Sequence, residues 1–396
     1  MKFRITIKIK DIWMFMLILP LIAPEGLIII SPVLYKILYG YFRYASLGIV
    51  FAMFAVFHIS KKKKMDIFLI FFFLLVAVNV GITWLHHEAT YACIVVYINA
   101  IAVVMLSEIY ENDIFELLDV IYVYLVILLI LNMICIMAYP KGMYKLLSVE
   151  GYQENWLLGY KSSLQYYILP VYCIALIRVK YKEKKWFEYF VLLLIHIESF
   201  QVRNQMLIIG ILLLDILLIF NLCRYTKIFN SITYCLGAIV LNYLLLSMQI
   251  LNSKTFMYIA NEILHKNLLT SRGRVWKITE NWIRKSWIWG YGRVDNEVRY
   301  LMYGNVAHSH NQILEFLFQG GIILLGCYLL INVYIAQKLY KNKDTYLAQI
   351  LSACILALYI MTSVEIFTRA LGAATWLIFA LASKVGSQQL KYYERK

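Results

Sequence analysis

His308-Ser309-His310-Asn311 stands where a long polar loop gives way to an apolar run, with Glu315 a short distance on. An imidazole at such a junction can take a proton from a hydroxyl, the more so where nearby arginines oppose its own protonation. Upstream, Ser271-Arg272-Gly273-Arg274-Val275-Trp276 supplies guanidinium groups. Their planar, permanently charged forks suit the oxygens of a diphosphate. Arg203, Arg293, Arg299, Arg369, Lys141 and Lys161 are further cations of the same class. Arg203, in Phe200-Gln201-Val202-Arg203-Asn204-Gln205 between two apolar runs, either binds a ligand or snorkels to lipid headgroups. Arg369 follows Glu365 by four residues, so the two could simply pair. The i, i+2 spacing of His308 and His310 could serve a metal. Only His265 could complete such a site from the loop, and the arginines repel a cation, so no metal and no cofactor are expected. His86-His87-Glu88 reads as a solvated turn, and Asp215 and Glu25 as polar contacts within a bundle.

The elements that must position these groups follow from composition. The chain has 396 residues, 62% hydrophobic and 15% charged, with mean hydropathy +0.70. Repeated runs of about 20 apolar residues are what a bilayer core selects. The formal charge of +15 is spread over short clusters between such runs, where cations set orientation and meet anionic lipid, so nucleic acid is discounted as a partner. Cys93, Cys135, Cys173, Cys223, Cys235, Cys327 and Cys354 lie in or beside apolar runs without CxxC spacing, as packing residues do. The run from Ile12 to Ile30 is too long for a signal peptide's apolar core and reads as a retained signal-anchor.

The fold class is therefore an all-α polytopic membrane protein. About twelve transmembrane helices are expected, near 12–30, 41–60, 66–84, 91–107, 118–139, 163–179, 187–198, 205–222, 231–250, 312–336, 346–364 and 370–383. Residues 1–250 form a bundle of about nine spans, 251–311 one large external loop, and 312–396 the last spans with a cytoplasmic tail. A cytoplasmic N-terminus puts Lys61 to Lys64, Arg178 to Lys185, Arg224 with Lys227, Lys338 to Lys343 and the Lys391 to Lys396 tail inside, which obeys the positive-inside rule. The Ser107 to Asp119 loop is then inside although acidic.

At roughly 60 residues the 251–311 loop is far longer than a connection needs. Within it Val275, Trp276, Trp282, Ile283 and Trp287 recur at helical spacing, with Lys277, Glu280, Asn281, Arg284 and Lys285 between them. That is an amphipathic helix, begun near Ser271 and stopped by Gly290, lying on the membrane surface or capping the bundle. The chain has no Walker A loop, GxSxG, HExxH or external DxD. A transferase outside the membrane without nucleotide or metal needs a pre-activated donor, and a lipid-diphosphate sugar is one.

These residues resemble the O-antigen ligase and Wzy polysaccharide polymerase superfamily. Arg272 with Trp276 is similar to the family's Arg and Trp four apart, and Gly290-Tyr291-Gly292 to its Gly-x-Gly. His310-Asn311 with Leu314 is similar to its His-Asn opening a Leu-rich helix, Gly320-Gly321 to the following Gly pair. Val202-Arg203-Asn204 resembles an earlier Ser-Arg-Gly, with the flanking Ser and Gly absent, and Gly159-Tyr160-Lys161 a Gly-x-Lys of Gram-positive polymerases. The resemblance implies glycan transfer from undecaprenyl diphosphate to a hydroxyl of another lipid-linked repeat unit, as in capsule or exopolysaccharide polymerisation. His310, Arg272 and Arg203 would be catalytic, with Arg274, Lys161, Asn311, Trp276 and His308 binding substrate. Membrane lipid, a chain-length regulator and a flippase are the implied partners. An O-antigen-type ligase, a lipid-linked oligosaccharide flippase and a non-catalytic scaffold are the rival readings. If the charge bias sets topology, a cysteine at Lys254 reacts with an impermeant reagent on whole cells, whereas labelling only after lysis reverses the orientation.

Overall fold

The computed structural model describes residues 8–62, 64–148, 151–182, 185–222, 225–247, 258, 270–303 and 306–387. Most of the 251–269 approach, Cys223, Arg224, His265 and the lysine-rich tail thus lie outside the described residues. The helices are α1 (Ile9–Ile18), α2 (Phe42–Lys61), α3 (Ile67–Leu85), α4 (Thr90–Ile109), α5 (Ile114–Ala138), α6 (Gln165–Tyr181), α7 (Trp186–Gln201), α8 (Gln205–Leu222), α9 (Ser231–Leu246), α10 (Thr270–Lys285), α11 (Asn296–Tyr303), α12 (Gln312–Lys341), α13 (Tyr346–Thr362) and α14 (Ala373–Lys384). Among the described residues, five segments are long and apolar enough to cross a bilayer: Pro32–Lys61, Ile67–Leu85, Thr90–Ile109, Glu111–Ala138 and Gln312–Lys341. Four shorter apolar helices accompany them. The expected first span is broken: α1 ends at Ile18, a 3-10 turn holds Pro20, and a separate turn forms at Leu27–Ile30. Pro20 and Pro24 withhold the N–H groups a continuous helix needs, which a hydropathy average does not register.

The chain divides into two compact units, each assembled from segments distant in sequence. In the first (1–65, 98–212, 370–396), α1 and α6 pack on α5, and α7 and α14 on α6. The acidic 107–119 segment finds its explanation here. Lys10 bonds Asp113 at 2.6 Å and Glu116 at 2.8 Å, Lys384 bonds Glu108 at 2.5 Å, Lys182 bonds Asp119 at 2.5 Å, and Arg178 reaches both Asp119 and Glu188. Its carboxylates therefore hold the start of α1 and the ends of α6 and α14, and Arg178 links the start of α7 to them through Glu188. Between α5 and α6 the chain forms an antiparallel sheet: β1 (Tyr144–Ser148), β2 (Gly151–Trp156) and β3 (Gly159–Tyr160), in that order. Asn132 of α5 links it to the helices, accepting from Leu158 N–H at 2.9 Å and donating to the buried Glu198 of α7.

In the second unit (66–97, 213–369), α12 packs along α3, and α9, α10 and α13 pack against α12. Caps define the helix starts: Asp66 accepts from Phe68 N–H, Asn230 from Ile232 and Thr233, and Thr345 from Ala348. The helix α12 is kinked at Gly320 and Gly321, whose backbones are non-helical, with Gly321 at φ 58°. Segment 287–292 enters the kink. Tyr291 N–H donates to Phe318 C=O at 2.9 Å, Gly292 N–H to Gln319 C=O at 2.8 Å, and Ile322 N–H to Trp287 C=O at 2.9 Å. A Cβ on Gly321 would lie 2.1 Å from the Ile288 carbonyl oxygen, and one on Gly290 2.6 Å from Gly320 N. Gly321→Ala should therefore lose more than about 2 kcal/mol, combining left-handed strain with a backbone collision. Gly326, also in α12 but with nothing within 4 Å of its Cβ position, should accept alanine with a gain of about 0.5–1 kcal/mol. Thermal melts of the two variants in detergent check the contrast, and equal Tm values would dissolve the interlock argument.

Candidate active site

The helix α10 forms as its amphipathic pattern requires. Val275, Trp276 and Thr279 are buried, Ile278, Trp282 and Ile283 pack against Val294, Tyr303 and Phe318, and Lys277, Asn281, Arg284 and Lys285 face outward. Arg284 and Lys285 occupy the last turn, where cations complement the helix dipole. Trp276 is fully buried and offers no ring face to a sugar, which corrects its assignment as a binding residue; it anchors the helix. Arg272, one turn earlier on the same side, is half-buried, and Arg274 is exposed. Among the described residues neither has an ion-pair partner. Trp287, expected on the helix, lies in the turn beyond it and is 56% exposed.

A buried polar network connects α11 and α12 to the histidine segment. Arg299 donates to Glu315 at 2.6 Å and to the Ala307 carbonyl at 3.1 Å, both charged side chains being almost wholly buried. Burial opposes the Arg299 charge, but Glu315 outweighs it and raises the guanidinium's pKa. The carboxylate also accepts from Ser309 N–H at 3.1 Å, Ser309 Oγ at 3.0 Å and Gln319 at 2.5 Å, and Gln319 accepts from Asn79 at 2.9 Å. Arg299 is thus not an available phosphate ligand and Glu315 not an available base. The Arg299–Glu315 pair instead clamps residues 306–311 to the first turns of α12.

Asn311 is fully buried and caps α12, accepting from Ile313 and Leu314 N–H. Its amide donates to Asn242 at 3.0 Å and to the Ser363 carbonyl at 2.8 Å, so it orients the segment rather than meeting substrate directly. Residues 308–310 precede the helix, with His310 at φ 50°. The helical separation of about 200° expected for residues two apart does not apply, and the two rings lie 4.1 Å apart. Both face Glu365: His308 Nε2 is 3.5 Å from Oε1 and His310 Nδ1 3.4 Å from Oε2. Glu365 and Arg369 sit in a non-helical segment, where the carboxylate meets the two histidines.

Burial, aided by His310 and Arg369, pulls the His308 pKa down to about 3, so its ring is neutral. Burial pushes Glu365 up, but His310, His308 and Arg369 outweigh it and hold its carboxyl below the usual range. The nitrogens and carboxylate lie within 4.8 Å of one another, the donor set and proximity a divalent cation could use. Sequence spacing missed Glu365 because it lies 55 residues beyond His310.

The first unit holds the other sequence candidates. Arg203 is exposed, at φ 53°, in the turn between α7 and α8. The neighbouring Asn204 donates to the Lys161 carbonyl at 2.5 Å and caps α8 through Leu207 N–H. Arg203 and Lys161, 42 positions apart, are thereby brought onto adjoining backbone. Gly159 of the Gly-Tyr-Lys motif has φ 95°, and a Cβ there would collide with Glu25. His86 and His87 are exposed, as a solvated turn requires.

Helices suited to a bilayer, with a basic amphipathic helix and a histidine segment bound to the kinked α12, are consistent with an all-α membrane protein. Residues 188–329 match the model of the family described as O-antigen ligase. That match supports placement in the O-antigen ligase and Wzy-like superfamily, and with it a membrane glycosyltransferase acting on a lipid-linked oligosaccharide. It covers Arg203, Arg272, Arg274, Trp276, His308, His310 and Asn311, while Lys161 and Glu365 lie outside it. No curated protein and no solved structure matches the chain. Trp276→Phe should preserve most transfer activity, whereas Trp276→Ala should cost about 3–5 kcal/mol of stability. Melting and transfer assays on both would restore a sugar-stacking role only if the stable Phe variant lost activity through its acceptor KM.

Proposed function

We propose that the chain is a polysaccharide polymerase that transfers a glycan from undecaprenyl diphosphate to a hydroxyl of another lipid-linked repeat unit at the external membrane face. The observation that carries the reading is His310. It closes the basic segment, its side chain is 25% exposed while its surroundings are buried, and it lies within the O-antigen ligase match. The acceptor oxygen attacks the anomeric carbon, the bond from that carbon to the diphosphate oxygen breaks, and the electron pair leaves with the diphosphate. His310 Nε2 takes the hydroxyl proton. Arg272, supported by Arg274, binds the diphosphate and stabilises the charge that grows on it, which needs neither metal nor nucleotide. The resemblance also gives Arg203 a diphosphate-binding role, with its neighbour Lys161 as the accompanying cation.

Purified protein given lipid-linked repeat units should yield a ladder of products. A single transfer to a different lipid acceptor would make it a ligase. Arg272→Lys keeps the charge and loses the two-point geometry, so turnover should fall sharply with expression intact. His310→Ala should lower single-turnover transfer by about 10²–10⁴-fold without comparable loss of donor binding. Unchanged polymer from His310→Ala, or from both Arg203→Ala and Arg272→Ala, would place the chemistry elsewhere.

A further inference from the structure

We propose that Glu365 is the positioning residue of the histidine base: its carboxylate holds His310 by Nδ1–H and so presents Nε2 to the acceptor hydroxyl. The inference rests on the reading of His310 given above. Three sets of observations carry it.

The first is that the location of Glu365 is fixed independently of the histidines. Segment 363–368 is bound to the opening of α12 on both sides of Glu365. Before it, Asn311 donates to the Ser363 carbonyl at 2.8 Å. After it, Gln312 Oε1 accepts from Phe367 N–H at 2.9 Å and Thr368 N–H at 3.3 Å, and Gln312 Nε2 donates to Thr368 Oγ1 at 2.9 Å. Asn311 and Gln312 directly follow His310, so one pair of amide side chains registers the carboxylate against the imidazole.

The second is the tautomer of His308. The His310 backbone N–H points at His308 Nδ1 at 3.3 Å, which makes Nδ1 the lone-pair acceptor and leaves the proton on Nε2. That Nε2–H faces Glu365 Oε1 at 3.5 Å. A cation bound between the three side chains would need the Nε2 lone pair, hence a proton on Nδ1 set against the His310 N–H. The arrangement favours a carboxylate hydrogen-bonded to His310, with the His308 N–H beside it, over a metal centre.

The third is the choice of ring nitrogen on His310. Nδ1 is the atom turned to Glu365, at 3.4 Å, and among the described residues Nε2 has no hydrogen-bond partner. A carboxylate on Nδ1–H fixes the tautomer in which Nε2 is the proton acceptor and stabilises the imidazolium that forms. At 3.4 Å the separation is at the long end for a hydrogen bond, and it should shorten when an acceptor engages the other nitrogen. His308 packs against the His310 ring and limits its rotation.

The test is a double-mutant cycle on purified full-length protein, in single turnover with a lipid-diphosphate-linked repeat unit. Glu365→Gln preserves size and an acceptor oxygen, so a purely structural Glu365 would leave it near wild type. Positioning instead predicts at least about a 10-fold fall in transfer, donor KM within about 3-fold, an unchanged Tm, and partial recovery in Glu365→Asp. In a His310→Ala background Glu365→Gln should cost less than about 3-fold more, since both changes remove one unit of function. Wild-type transfer by Glu365→Gln beside a crippled His310→Ala overturns the positioning role and leaves the base intact. Multiplying effects overturn it too, by showing that Glu365 acts through another group. Normal transfer by His310→Ala removes the base reading itself and the pairing with it. Stoichiometric zinc in the wild type, lost in Glu365→Gln and with activity abolished by a chelator, would replace the pairing with a cation site.

Discussion

A kinked helix in an apolar setting leaves peptide groups without partners, and the cost of leaving them so governs this structure. At Gly320 and Gly321 α12 departs from helical geometry, and the Phe318 and Gln319 carbonyls and the Ile322 N–H are satisfied by the Trp287, Tyr291 and Gly292 backbone. The loop is therefore bound to the span by main-chain hydrogen bonds, at a distance only glycine permits. Gly290-x-Gly292 and Gly320-Gly321, which look like separate motifs in the sequence, are the two halves of one joint. The joint delivers α10, with Arg272 and Arg274, to α12.

The same helix carries the second constraint. Glu315 lies on its first turn, and its two oxygens hold Arg299, Ser309 and Gln319 at once. A buried ion pair is seldom a net source of stability, because desolvation offsets much of the attraction, but removing one partner strands the other. Here the pair fixes the conformation of a short segment in which His310 adopts a left-handed backbone. That strain is tolerated because residues on both sides, Ser309 and Asn311, are anchored in the interior.

The sequence displayed these features unevenly. Helix α10 was legible because one turn of burial repeats every three or four residues from Val275 to Ile283, and the His-Asn junction because Asn311 is a strong cap directly before an apolar run. The sheet was not: β1 and β2 place Lys145, Gln153 and Glu154 among short apolar pairs, a pattern without the length or alternation of a clear strand. Arg299 looked like its exposed neighbours because charge alone does not reveal burial. Trp276 likewise fits both stacking and packing, and only its complete burial decides between them. The span count rests on hydropathy averages, which ran through Pro20 and Pro24 although backbone chemistry stops the helix there.

The sequence hides the role of Glu365 for a physical reason. Four positions before Arg369 it satisfies a local pairing rule, and that rule holds only if the intervening residues are helical. Ser363 to Thr368 are not, because the Asn311 and Gln312 amides take over the hydrogen bonds of this backbone. Outside a helix, its carboxylate meets side chains 55 and 57 residues earlier. A histidine pair whose i, i+2 spacing would separate them on a helix instead converges on one acid, since His308 and His310 also lie outside the helix. Both departures from helical geometry arise at one place, the N-terminus of α12, where Asn311 ends one segment and fastens the other. The chemistry attributed to His310 therefore depends on how that helix begins.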